Sequence, residues 1–243
     1  MVGGVETRKL AVLGYYGFGN FGDELILEGL RELFKGWQIQ VYANDFSGAY
    51  PFLDFEEVNK CDLFVLGGGE LISPSNLFLP SKNLYRFKKG SISFRLYARS
   101  PFGFPLWVHR VKIPKIVLGC GVNGDHVNAN VVHELEQFSF IGLRDKFAVQ
   151  ILKAIPSLMG KVELCYDLVF ALNMDGNTCR FLARVFPFKL HGLVLSHMAG
   201  VPYTFPFYHS KVHRVRDTIN DLTMAEIRQK QKSSFEAMLE AVL

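Results

Sequence analysis

Short, continuous apolar runs alternate along this chain with stretches whose apolar positions recur three and four residues apart. Lys9–Gly14 is the first run and predicts a buried strand that stops at glycine. Over Gly22–Phe34, Leu25, Ile26, Gly29, Leu30 and Leu33 recur at helical spacing, with Asp23 and Glu24 in the first turn, where the helix dipole favours acidic groups. The pattern continues with strands at Gln38–Ala43, Asp62–Leu66, Lys115–Leu118, Phe140–Leu143 and Val162–Cys165. Helices are predicted over Val127–Phe138 and Lys146–Ile155, the second stopped by Pro156. Beyond Asp167 the pattern predicts a helix over Lys189–Ala199, a short strand over Val201–Phe205 and two helices within Val212–Leu243. Met224, Ile227, Phe235, Met238, Leu239 and Val242 form the apolar stripe of the last.

Apolar strands alternating with helices specify an α/β fold, a Rossmann-like parallel sheet flanked by helices on both faces. Such sheets bind ligands at the carboxyl ends of their strands. Glycine-rich turns follow Leu13, Leu66 and Leu118, so these turns should share one rim. The first is the richest in chemistry. Gly17, Gly19 and Gly22 satisfy G-x-G-x-x-G between a strand and a helix, and Asp45 lies near the position of a ribose-binding acid. A dinucleotide-binding oxidoreductase is therefore one reading. Against it, two tyrosines separate Gly14 from Gly17, and Asn20, Asp23 and Glu24 stand where a pyrophosphate would dock.

Composition narrows the classes further. With 49% hydrophobic residues and a net charge of +4, a disordered chain is excluded. Cys61, Cys120, Cys165 and Cys179 form no Cys-x-x-Cys pair and have no histidine cluster at zinc spacing, so buried free thiols are expected and no metal site. The N-terminus lacks the pattern of a signal peptide, and no uncharged run approaches the ~20 residues of a membrane span, so a cytoplasmic protein is expected. Charge is uneven. Leu71–Gly124 holds nine basic residues and no acidic one, and the rest of the chain balances at −5. Aromatic residues alternate with these charges, and the segment from Lys82 to Lys115 suits a phosphate-bearing substrate or an anionic membrane surface. A solvated insertion with amphipathic stems fits it equally. No nucleic-acid-binding module accompanies the charge, so nucleic acid is not an expected partner.

Four blocks taken in order carry a resemblance. Gly14-Tyr15-Tyr16-Gly17-Phe18-Gly19-Asn20-Phe21-Gly22-Asp23-Glu24 resembles the N-terminal signature of the polysaccharide pyruvyl transferase family. Asp62–Gly69 resembles its strand running into a glycine-rich turn, and Phe140–Asp145 its strand ending in Arg-Asp. Lys189-Leu190-His191-Gly192, followed by Ala199-Gly200-Val201-Pro202, is similar to its Arg-Leu-His helix start and Ala-Gly-Val-Pro turn.

The resemblance implies a GT-B-like architecture, two Rossmann-like domains across a cleft. It also implies transfer of pyruvate, as a ketal, from phosphoenolpyruvate to two sugar hydroxyls of a surface glycan. No cofactor is implied beyond phosphoenolpyruvate as donor substrate, and the implied partner is a glycan or lipid-linked sugar acceptor. On the same basis Arg144 and Lys189 would bind donor anion and His191 would be the acid/base. Asn20 and Asp23 would face the acceptor, with Gly17, Gly19, Gly22, Gly67, Gly68 and Gly69 allowing close approach and Glu70 as a ligand contact or surface carboxylate. Each has a plainer alternative: an Arg144–Asp145 ion pair, an exposed Lys189, a packing His191, a helix-capping Asp23.

Two departures qualify the family picture. Lys189 stands where the family has arginine, and lysine lacks the bidentate fork that recognises carboxylate and phosphate. Between Asp167 and Lys189 lie 21 residues, whereas one βαβ unit takes about 30 or more. The expected organisation is a Rossmann-like domain over 1–167, with a basic insertion at 71–114, and a reduced, mostly helical remnant over 168–243. The second half of the GT-B-like architecture is thus truncated. A homo-oligomer would be one way to complete the cleft. A non-catalytic sugar-, nucleotide-sugar-binding or interaction protein that keeps the fold is the alternative.

Overall fold

The structure is a computed structural model, and it describes residues 7–43, 49–51, 53–69, 71–72, 108–122, 127–185, 190–202 and 210–243. The six strands expected before Asp167 all form: β1 (Lys9–Gly14), β2 (Gln38–Ala43), β3 (Leu63–Gly67), β4 (Lys115–Cys120), β5 (Phe140–Leu143) and β6 (Val162–Leu164). They make one parallel sheet in the order β2-β1-β3-β4-β5-β6. Val12 pairs with Val41 on one side and Val65 on the other, which aligns the carboxyl ends of β1, β2 and β3. The strand order reverses between β1 and β3, and an α/β sheet opens a ligand crevice at such a reversal.

Side chains alternate between the two faces, as the strand period of two requires. Leu10, Val12, Leu63, Val65, Ile116 and Leu118 point into one core. Ala11, Leu13, Phe64, Leu66, Val117 and Ile141 point into the other. The second face is covered by α2 (Phe55–Val58), α3 (Ala129–Leu135), α4 (Lys146–Lys153) and a 3-10 turn at Val108–Arg110. The first is covered by α1 (Phe21–Leu33) together with the described residues that follow β6. That part comprises a 3-10 turn at Leu168–Ala171 and the helices α5 (Gly176–Val185), α6 (Leu190–Met198), α7 (Ser210–Ile219) and α8 (Met224–Val242). Leu168, Phe170, Leu193, Val194, Val215, Ile227 and Met238 share one core with β1, β3 and α1.

Two helices escaped the sequence pattern. α2 has only four residues, too few to show a period, and is held by Asp54, whose side chain accepts from the backbone N–H groups of Glu56 and Glu57. α5 follows Asp175, which accepts from Asn177 and Thr178 at 2.9 and 3.0 Å, but it opens on Gly-Asn-Thr, residues of low helix propensity. The strand expected over Val201–Phe205 is not formed at Val201 and Pro202, and its other residues lie outside the described ones, as does most of the basic insertion. All four cysteines are buried and free, as expected. No helix among the described residues is long and apolar enough to cross a membrane.

α1 sits unusually close to the Leu168 turn. A Cβ on Gly29 would lie 2.1 Å from the Leu168 carbonyl oxygen. Alanine improves helix propensity by about 1 kcal/mol over glycine, yet here the obstacle is backbone that cannot rotate away, and overpacking costs about 1–3 kcal/mol or more. Gly29→Ala should therefore destabilise the protein by about 1–2 kcal/mol net in urea unfolding. A neutral or stabilised variant would show that this packing is loose.

Candidate active site

Three turns meet above the carboxyl ends of β1, β3 and β4. Gly68 N donates to the Leu118 carbonyl and Gly121 N to the Gly69 carbonyl, both at 2.8 Å, so the turns after β3 and β4 continue the ladder beyond the strands. The Tyr16 hydroxyl donates to the Gly67 carbonyl at 2.6 Å and ties the turn after β1 to them. Gly17 and Gly19 have φ of 83° and 72°, left-handed values that allow this turn to double back. Gly17 N donates to Glu24 Oε1 at 2.7 Å, and Asn20 caps α1 by accepting from Gly22 N at 3.3 Å. The helix start is thus occupied by the protein's own acceptors. The strand order 2-1-3-4-5-6, in place of the 3-2-1-4-5-6 of the dinucleotide-binding sheet, and this occupied helix start weigh against the dinucleotide reading.

Gly67 and Gly68 make close approaches, but to α1. A Cβ on Gly67 would lie 2.6 Å from Leu30 Cδ1, and one on Gly68 would lie 2.0 Å from Ile26 Cγ2. Gly69 faces the site, with its Cβ position 3.2 Å from Asp23 Oδ1. Glu70 and Lys189 lie outside the described residues.

Behind this rim a group of charges is buried. Arg144, at the end of β5, is 2% exposed, and its guanidinium lies on the backbone of Gly121, with Nη2 2.6 Å from that residue's Cβ position. Asp145 does not pair with it; Asp145 caps α4 by accepting from Ala148 N at 2.8 Å. Arg144 instead acts on Asp23 and His191. His191, in the first turn of α6, packs its ring on Gly22, whose Cβ position is 2.0 Å from Nδ1. Its Nε2 stands 3.8 Å from Asp167 Oδ2. Arg144 Nε, Asp167 Oδ2 and His191 Nε2 are all buried and make no hydrogen bond among the described residues.

Electrostatics give these groups different tasks. Burial pushes the Asp23 carboxyl up to about 6; Arg144 and Lys211 pull it down, and Asp167 and Glu24 add to the rise. Asp23 accepts from Asn20 Nδ2. Burial lowers His191 from its ordinary value; Asp167 opposes this, while Arg144 and Lys211 reinforce it. His191 is therefore neutral at pH 7 and stands beside a carboxylate able to stabilise its cation. Burial lifts Cys120 to about 12, so its thiol is no nucleophile at neutral pH.

Asp167 and Lys211 were missed as site residues in the sequence. Asp167 follows β6, and the strand-end rule that put the turns after Leu13, Leu66 and Leu118 on one rim applies to it equally. Lys211 carries no local signal. Its helix α7 is pinned across the ends of β4 and β5 by Arg214 Nη1 donating to the Val122 carbonyl and by Lys146 N donating to Thr218 Oγ1, at 3.1 and 3.0 Å.

Fold and site together define a doubly wound α/β protein in which Asp23, Arg144, Asp167 and His191 gather beyond the carboxyl ends of the strands. The family model for polysaccharide pyruvyl transferase matches residues 20–179, about two-thirds of the chain. The chain belongs to the polysaccharide pyruvyl transferase family. Asn20, Asp23, the Gly67–Gly69 turn, Arg144 and Asp167 lie within the match; Gly17, Gly19, Lys189, His191 and Lys211 lie outside it. No curated protein matches the chain.

Asp23 gives a pH signature. Its folded value of about 6 exceeds the ordinary 3.8, so between these pH values the folded state keeps a proton that the unfolded state releases. Stability then falls as pH rises from about 4 to 6, by up to roughly 3 kcal/mol, and stays lower above. His191, lowered, acts oppositely: its contribution is present above its unfolded value and lost as pH falls. Asp23→Asn removes only the first effect. The variant should be more stable than the native chain at pH 7–8 and lose that advantage by pH 4, measured by urea unfolding across this range. A pH-independent difference would refute the assignment.

Proposed function

We propose that this protein transfers pyruvate from phosphoenolpyruvate to two hydroxyls of a glycan sugar, forming a cyclic ketal. One observation carries the reading: Arg144, Asp167 and His191 bring buried polar atoms without hydrogen-bond partners among the described residues into one place, next to the Asp23 carboxyl, which burial pushes up to about 6. Family membership supports the same reaction class.

Each group has a task that its surroundings suit. The Arg144 guanidinium holds the donor's carboxylate or phosphate, for which its planar fork is matched. Lys211 adds a second positive charge from α7, and Lys189 is a further candidate for that role. The negative charges of the bound donor, added to that of Asp167, favour the protonated ring. His191 then takes up a proton and delivers it to the donor methylene, making an oxocarbenium-like carbon, and Asp167 stabilises the imidazolium from which that proton comes. One sugar hydroxyl attacks this carbon. Phosphate leaves as its C–O bond breaks, and the second hydroxyl closes the ketal. Of the two hydroxyl protons, one replaces that given to the methyl group and the other leaves on phosphate, so the balance closes without an oxidant or reductant. Asp23, with Asn20 beside it, receives a hydroxyl proton.

Phosphoenolpyruvate should raise the melting temperature, and Arg144→Gln should weaken its binding about 10- to 100-fold, the range for losing a charge-assisted hydrogen-bonding partner. His191→Ala should keep donor binding but lower phosphate release, with methyl pyranosides as acceptors, by about 100-fold or more. Donor binding without phosphate release by the native chain would favour a binding module that has lost transfer. An unchanged melting temperature with phosphoenolpyruvate would end the proposal.

A further inference from the structure

The C-terminal helix α8 docks on the segment after β6 through polar side chains at three-residue spacing. Arg228 Nε and Nη2 donate to the carbonyls of Phe170 and Leu172, at 3.2 and 2.6 Å. Gln231, only 3% exposed, donates from one nitrogen to the carbonyls of Cys165 and Asp167, at 3.2 and 3.1 Å. Ser234 Oγ meets Cys165 Sγ at 3.6 Å. Cover alone would call for apolar residues here, as Ile227 and Met238 provide on the same helix.

The two carbonyls held by Gln231 bracket Tyr166, the only non-glycine among the described residues with positive φ, 61°. That backbone costs a bulky residue about 1–2 kcal/mol, so it persists only where neighbours enforce it. It turns the chain out of edge strand β6 so that Asp167 can bind Val169 N through Oδ1, at 3.1 Å, while Oδ2 faces His191 Nε2. A relaxed turn would break that alignment.

We infer that Gln231 is a positioning residue, which by clamping the carbonyls on either side of the Tyr166–Asp167 pair holds the strained turn that aims Asp167 at His191. The inference rests on the acid/base pair proposed above, but it concerns geometry and is read without turnover. Besides Asp167, His191 faces Arg144 from the end of β5, Lys211 from α7 and the Gly22–Asp23 turn of α1. Of these, Asp167 is the carboxylate that raises its basicity.

The test is an NMR titration of the His191 ring in the full chain, with His191→Gln assigning the signal. Asp167→Asn should lower the pKa of His191 further. Gln231→Leu should lower it in the same direction, and the double variant should fall no lower than Asp167→Asn alone. Arg228→Ala should cost stability yet leave the titration in place. If Gln231→Leu does not fold, Gln231→Glu serves, since a carboxyl donates one hydrogen bond at most. An unchanged His191 titration in the Gln231 variant, beside a shifted one in Asp167→Asn, overturns the inference. So does an equal shift in Arg228→Ala, which would mark general loosening. No shift in Asp167→Asn would overturn the pairing itself, and the positioning role with it.

Discussion

α1 can lie against the C-terminal half of the chain only because Gly22 and Gly29 lack side chains. These residues are seven apart, two turns of helix, and therefore share a face. Gly29 admits the Leu168 carbonyl and Gly22 admits the His191 ring, each into space that a Cβ would fill. The same helix meets the turn after β3 with Ile26 and Leu30, where Gly67 and Gly68 make room. One helix thereby sets the sheet rim, the turn carrying Asp167 and the first turn of α6 in mutual register. Asp23, one residue from Gly22, is carried into the middle of that arrangement.

Burying charge is costly unless the charges answer one another. Asp23 and Asp167 are balanced by Arg144 and Lys211, with His191 neutral among them. The balance is incomplete: Arg144 Nε, Asp167 Oδ2 and His191 Nε2 make no hydrogen bond among the described residues. An apolar core would not tolerate three such atoms together, whereas an anionic donor and a sugar hydroxyl would satisfy them. The strain at Tyr166 belongs to the same account. A single left-handed residue is offset by Gln231, and its effect is to point a carboxylate out of the sheet edge toward the ring.

The sheet was legible because its central strands are apolar runs ending in glycine or a polar turn, and period separates such runs from the helices between them. Arg144 and His191 were named as site candidates through family-like blocks, and the structure brings them near one another although 46 residues separate them. The Gly67–Gly69 turn was read as a place for ligand approach, yet two of its glycines serve α1. Sequence marks a close contact there without saying with what. Asp167 and Lys211 stayed hidden for different reasons. Asp167 resembles any helix-capping aspartate, and its second oxygen acquires meaning only from the Tyr166 turn. Lys211 reaches the site through the docking of α7, a tertiary contact with no local pattern. α5 was invisible because its first turn depends on Asp175 and its packing on α6 more than on propensity.

The shortness of the chain between β6 and α6 bears on how such a site can be assembled. The 21 residues between Asp167 and Lys189 leave no room for a βαβ unit, and the described residues after β6 form helices that close one face of the sheet already present. Under the proposed chemistry, a cation that complements Arg144 can then come from a helix of that layer, and α7 brings Lys211 across the ends of β4 and β5. A lysine on a helix is a point charge whose placement depends on the docking of the whole element, unlike an arginine at a strand end, whose direction the ladder fixes. Donor recognition in this protein should therefore depend on Arg144 for geometry and on Lys211 for charge. On that proposal, the polar contacts that seat α7, from Arg214 to the Val122 carbonyl and from Lys146 N to Thr218, set how well the two are matched.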